Sequence, residues 1–245
     1  MRPVRRFGGG GGGGLGIPGL ESTAAKLALG LVVGSVLYLL TRNALGGLLL
    51  LSPVLPGGVL WQPFTYAFVE VSPLGIIFGA LIIWNIGGWL EGVWGPKRMV
   101  MLALGCTVVA GFLTTVVMFL LGVNAGGYTG GTVMASILWV AYGLVIGRGQ
   151  TNFWGIPLSG NAFAGIGAGF VVLGILTSPG GILVGVLGHL PEIFGLLLAL
   201  GYVKGGSPRG LWLHFNHWRL QRQLRNRSRN LHVISSDRPD DRYLN

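Results

Sequence analysis

The sequence predicts an all-α membrane protein, a bundle of six transmembrane helices. Three observations lead there. Of the 245 residues, 51% are hydrophobic and only 10% charged, and the mean hydropathy is +0.67. A soluble domain is about 25% charged, so much of this surface must face something other than water. Six apolar runs then approach the roughly 20 residues that a bilayer-crossing helix requires. Finally, the basic residues fall almost wholly on one side of those runs, as membrane topology demands.

Taken in order, residues 1–22 hold Arg2, Arg5 and Arg6 and an unbroken glycine run from Gly8 to Gly14. Such a run has no side chains to bury and high conformational entropy, so a disordered cytoplasmic tail is expected. Residues 23–204 are expected to form the membrane domain. Its spans read Ala24–Leu40, Leu74–Leu90, Met99–Leu121, Gly130–Ile146, Asn161–Thr177 and Gly181–Val203. No small-residue cleavage pattern follows the first run, so it is expected to be retained as a helix and not removed as a signal peptide.

Between the first two spans, Arg42–Pro73 is too long for a tight turn and carries Leu48 to Leu51, Pro53 and Pro56. It is expected as a re-entrant or interfacial loop leading to a short helix over Trp61–Phe68. Residues 205–231 place Leu211, Trp212, Phe215 and Trp218 among arginines at helical spacing. That pattern predicts a basic amphipathic helix lying on anionic lipid headgroups of the cytoplasmic leaflet. Residues 232–245 are expected to be disordered.

Charge selects the topology. With the N-terminus inside and six spans, only Arg42 of the 17 basic residues lies outside. Five or seven spans would put the two basic ends on opposite faces, so both termini are expected in the cytoplasm. The net charge of +10 is therefore assigned to topology and lipid contact, with no nucleic acid partner. Forty-six glycines suit close helix approach, and the single cysteine, Cys106, excludes an intrachain disulfide and is expected in the core. His214 and His217 stand three apart without a third ligand, so neither a metal nor another cofactor is expected.

Polar groups inside hydrocarbon are costly and are candidate functional residues by default. They are Asn85 and Glu91 on the second span, Thr129, Thr132 and Ser136 around the start of the fourth, Asn161 at the start of the fifth, and His189 with Glu192 on the sixth. Glu91 is expected to contact Lys97 or Arg98, and Asn85 to bond across helices. His189 and Glu192, three apart, share a helix face, with Pro191 between them opening the helix and freeing a carbonyl.

Two stretches carry a family likeness. Trp61-Gln62-Pro63-Phe64-Thr65-Tyr66-Ala67-Phe68 precedes the second span, and Leu90-Glu91-Gly92-Val93-Trp94-Gly95-Pro96-Lys97-Arg98 ends it. Together with the spacing of the later helices, residues from about Trp61 to Gly201 resemble the rhomboid intramembrane serine proteases. The resemblance implies a six-helix core whose fourth helix begins with a Gly-x-Ser-Gly nucleophile motif. It also implies a histidine base on the sixth helix, and a histidine and an asparagine on the second that stabilise the oxyanion.

In this chain the nucleophile motif reads Gly127-Tyr128-Thr129-Gly130, and His189 falls where the base belongs. Glu192 is a candidate orienter of His189, or else half of a structural polar pair. The two oxyanion positions are Gly75 and Gly79. Losing one such donor typically costs about 10²–10³ in rate, and here both are missing. The favoured reading is a rhomboid-like pseudoprotease of the bacterial inner membrane. It would bind transmembrane segments of client proteins or serve as a subunit of a membrane assembly. The alternatives are an active intramembrane endopeptidase using Thr129 and His189, and a small transporter or channel-like protein. Gly75 and Gly79 also make a small-x-x-x-small face suited to close packing.

Overall fold

The computed structural model describes Gly19, residues 21–52, 61–123, 127–153 and 156–205, and Arg219. The chain divides into two units, residues 1–204 and 205–245. The glycine-rich tail, the basic helix over 205–231 with His214 and His217, and the tail 232–245 lie outside the described residues apart from Gly19, Gly205, Arg219 and residues 21–22.

Helices occupy all six apolar runs. They are α1 (Thr23–Leu49), α3 (Pro73–Trp94), α4 with α5 (Pro96–Val100 and Cys106–Leu121, joined by a π-helical turn over Met101–Gly105), α6 (Gly131–Ile146), α7 (Gly160–Leu176), and α8 with α9 (Gly181–Gly188 and Leu190–Lys204). A short α2 (Gln62–Thr65) runs into a 3-10 turn, Tyr66–Phe68. Among the described residues, three helical segments are long and apolar enough to cross a bilayer alone: Thr23–Thr41, Pro73–Trp94 and Pro96–Leu121. The α8–α9 pair, bent by 58°, makes a fourth if counted as one span. The six apolar runs are therefore helical, but three to four of them, not six, have the length of a full span, since α6 and α7 have 16 and 17 residues. A short helix is tolerable at the centre. α6 packs against α3, α7 and α9, so much of its surface meets protein and not lipid.

Other expectations need correction. The first helix does not stop at Leu40 but bends at Thr41 (φ −119°, ψ 15°) and continues to Leu49. The Thr41 hydroxyl donates to Leu37 O at 2.5 Å, a back-bond that bends helices without ending them. The short helix after the loop is where the sequence put it, and its polar residues fasten the extension. Gln62 Nε2 donates to Gly47 O at 2.7 Å while its Oε1 accepts from Ser52 N, and the Thr65 hydroxyl lies 3.2 Å from Leu49 O. The fold is not purely helical either. β1 (Gln150–Phe153) and β2 (Ile156–Ser159) form an antiparallel hairpin between α6 and α7, pairing Gln150 with Ser159 and Phe153 with Ile156. Four-residue strands without a clear alternation give no readable period.

Asn85 and Glu91 also differ from expectation. Asn85 is exposed and donates to Leu81 O of its own helix at 3.1 Å, so it makes no bond across helices there. Glu91 does not turn to Lys97 or Arg98. Its two oxygens accept from Thr23 N (3.0 Å) and Ala24 N (2.9 Å), capping α1 from a different helix. The first amides of a helix have no partner within it and carry the positive end of its dipole, so a carboxylate is favoured there. Glu91→Ala is expected to cost about 0.5–2 kcal/mol, the usual value of an N-terminal cap. Denaturant titration of the detergent-solubilised protein would measure it. An unchanged midpoint would show that the contact adds nothing.

Candidate functional site

The end of α6 is built by the stretch Tyr66–Glu70. Gly130 N donates to Tyr66 O at 2.9 Å and Gly131 N to Val69 O at 3.2 Å. Thr132 N donates to Glu70 Oε2 at 3.1 Å. The same Glu70 oxygen accepts from the Thr132 hydroxyl at 2.6 Å and the Thr129 hydroxyl at 3.4 Å. Its other oxygen accepts from Val71 N (2.9 Å) and Ser72 N (3.3 Å), just before α3 begins. Glu70 N in turn donates to the buried Ser35 hydroxyl of α1. Only 5% exposed, Glu70 thus joins three helices through one carboxylate and one amide.

The surrounding glycines follow from that arrangement. A Cβ on Gly75 would stand 2.9 Å from Glu70 Cγ, and one on Gly131 2.9 Å from Glu70 Cβ and 2.7 Å from Leu31. Gly79 faces Leu31 of α1, where a Cβ would stand 3.2 Å away. Gly130 lies under the backbone of Ala67, 2.7 Å from where its Cβ would be. The positions that resemblance assigned to oxyanion side chains are therefore packed, one against Glu70 and one against α1.

His189 belongs to a different cluster. It sits at the break between α8 and α9, with Nδ1 3.7 Å from Glu192 Oε1. Its Cε1 and Nε2 edge lies against α7, where a Cβ on Gly174 would stand 2.9 Å from both atoms. Thr129 and His189 make no hydrogen bond to one another in the described structure; each is engaged elsewhere. Glu192 Oε2 is buried and has no partner among the described residues.

Pro191 explains why Tyr128 is there. Proline has no N–H, so Leu187 O, four residues earlier, loses its helical partner. The Tyr128 hydroxyl donates to that carbonyl at 2.9 Å. Burial, with the Glu192 charge adding to it, pushes the Tyr128 hydroxyl up to about 12, so it remains a donor at neutral pH. Burial and then Glu192 likewise hold the Tyr66 phenol above its usual range, and that phenol donates to Thr107 O of α5. Tyr128→Phe is expected to cost about 1–2 kcal/mol by removing the hydroxyl's bond to Leu187 O. The loss should shrink in a Pro191→Ala background, because alanine supplies the missing N–H. Equal losses in both backgrounds, measured by unfolding, would refute the assignment.

Beside this cluster α3 and α7 face one another across α6, leaving a cleft of about 130 Å³. Phe78, Ile82, Trp139 and Phe170 line it, with the Thr132 and Ser136 hydroxyls on the α6 floor. The Trp139 indole donates to Phe163 O at 2.9 Å and is thereby fixed in place. Among the described residues no group of three or more His, Cys, Asp or Glu could hold a metal ion.

Glu70, Tyr128 and the cleft were not singled out from the sequence. Glu70 follows the Trp61–Phe68 stretch by two residues and has no sequence pattern that assigns it a role. Its signal was scarcity, since the first 204 residues hold only the acids Glu21, Glu70, Glu91 and Glu192.

Apolar helices with exposed hydrophobic faces, tied together by a few buried polar groups, define an integral membrane protein with several apolar helices. The chain belongs to the family described as eukaryotic integral membrane protein (DUF1751), which matches residues 25–152, just over half its length. That match takes in α1 to α6, including Glu70, Thr129 and Ser136, and ends before α7. No curated protein matches the chain. The family's description is of a eukaryotic protein, so the bacterial inner membrane expected from the sequence receives no support from it.

Proposed function

We propose that this is a rhomboid-like pseudoprotease, with both termini on the cytoplasmic side, that receives transmembrane segments of partner proteins in the cleft between α3 and α7. The observation that carries the reading is the engagement of the α6 end. The amides of Gly130, Gly131 and Thr132 are the donors closest in sequence to an alkoxide at Thr129, and all three are bonded to Tyr66, Val69 and Glu70. A carboxylate next to the hydroxyl also repels a developing oxyanion, which hydrolysis must stabilise. A histidine at position 75 would collide with Glu70, so the pocket is shaped around an internal acid. His189 facing Gly174 leaves Thr129 without the base that the endopeptidase reading assigned to it.

Binding is supported by the apolar cleft flanking the same helix end, walled by Phe78, Ile82 and Phe170. Purified protein in liposomes should crosslink a transmembrane peptide through a photoreactive group placed at Phe78 or Phe170, and should not cleave it. Cleavage that His189→Ala abolishes would overturn the pseudoprotease reading. Crosslinks no stronger there than from lipid-facing Leu183 would overturn the binding site.

A further inference from the structure

We propose that Ser136 makes the cleft selective for transmembrane segments bearing an uncharged hydrogen-bonding residue, namely Ser, Thr, Asn or Gln, at its depth. The inference rests on the cleft being the binding site. Thr132 and Ser136 are four apart on α6, so their hydroxyls lie one above the other on the cleft floor. The Thr132 proton is committed to Glu70 at 2.6 Å. Ser136 differs: among the described residues nothing hydrogen-bonds to its hydroxyl. Threonines elsewhere in the bundle, including Thr107, Thr114 and Thr115, donate back to the carbonyl four residues earlier, and Ser136 does not.

An unpaired hydroxyl in an otherwise apolar trough is an available donor and acceptor. A leucine-rich guest would cover it and leave it unsatisfied, whereas a guest amide or hydroxyl would complete it. The Thr132 oxygen keeps acceptor capacity one turn away, so an amide can donate to one hydroxyl and accept from the other. The Glu70 carboxylate behind Thr132 selects against an ionised acid in the guest. Recognition thus reduces to a neutral polar side chain on an apolar helix. Ser136 lies about 8 Å along α6 from Gly131 at the usual helical rise.

The test uses the full chain in liposomes and two leucine–alanine transmembrane peptides of about 20 residues. They differ only in Asn or Leu at the depth of Ser136. The expected preference for the Asn peptide is about 3- to 15-fold, the range of interhelical hydrogen bonds in membranes. Ser136→Ala should bring that ratio close to one, by weakening the Asn peptide and by relieving the Leu peptide of an unsatisfied hydroxyl, and Ser136→Thr should restore it. A preference that survives Ser136→Ala overturns the role of Ser136 while the cleft still stands as the binding site. Failure of both peptides to crosslink at Phe78 and Phe170 overturns the site and this inference with it.

Discussion

Glu70→Ala is expected to destabilise the protein by about 3 kcal/mol or more. The carboxylate accepts from Val71 N, Ser72 N, Thr132 N and two threonine hydroxyls, and the site is almost fully buried. Each buried donor left unpaired costs about 1–3 kcal/mol, and several are released together. Glu70→Gln should cost less, because its carbonyl oxygen still accepts, although its NH2 would face donors at one side. Thermal unfolding in detergent, followed by tryptophan fluorescence, gives the comparison. A second measurement isolates the contact itself. Gly75→Ala should be costly in the natural chain, where the new methyl meets Glu70 Cγ at 2.9 Å, and much milder once Glu70 is alanine. A cycle of these four proteins that shows no coupling, or a Glu70→Ala variant that melts like the parent, would remove Glu70 from its central place.

Gly143→Ala is the other change with a large expected effect. An added Cβ would lie 2.5 Å from both Ala164 N and Gly160 O, so the obstruction is backbone and cannot rotate away. α6 and α7 would have to separate, losing contacts along their length. Overpacking of this kind costs about 1–3 kcal/mol, and more where the neighbour cannot yield. The matched control is Gly165→Ala on α7, which meets nothing within 4 Å and should be neutral. If both substitutions shift the unfolding midpoint equally, the close crossing of α6 and α7 is not what holds them. Widening that crossing should also disturb the cleft beside it, which Trp139 and Gly167 line.

The helices were legible because their apolar runs are long, and the break at His189 because Pro191, two residues on, lacks a donor that a continuous helix needs. The role of Glu91 was not legible: sequence proximity favoured Lys97 and Arg98, whereas the fold brings α1 to it from 67 residues away. Glu70 was hidden for the same reason, since its partner hydroxyls are 59 and 62 residues distant. A rule connects these cases. Glu70 and Glu91 each carry a carboxylate to the N-terminus of another helix, and Glu192 lies in the first turn of its own, where unpaired amides welcome negative charge. Acids this scarce in an apolar chain point to helix starts, but the sequence does not say which start. The likeness to proteases paired Thr129 with His189, whereas the fold sets one against Glu70 and the other against Gly174, because side-chain direction depends on neighbours that carry no motif.

Tyr128 has one further consequence, for how the chain is made. Its backbone pairs with Leu51 in both directions (Leu51 N to Tyr128 O, 3.2 Å; Tyr128 N to Leu51 O, 2.9 Å), while its phenol waits on Leu187. During synthesis the first half can therefore close around Tyr128 before the ribosome has delivered the residue that completes it. A nascent protein stalled short of α8 would leave that hydroxyl without its carbonyl partner. Arrival of α8 supplies that carbonyl, so the backbone and the side chain of one tyrosine find their partners at different times in synthesis.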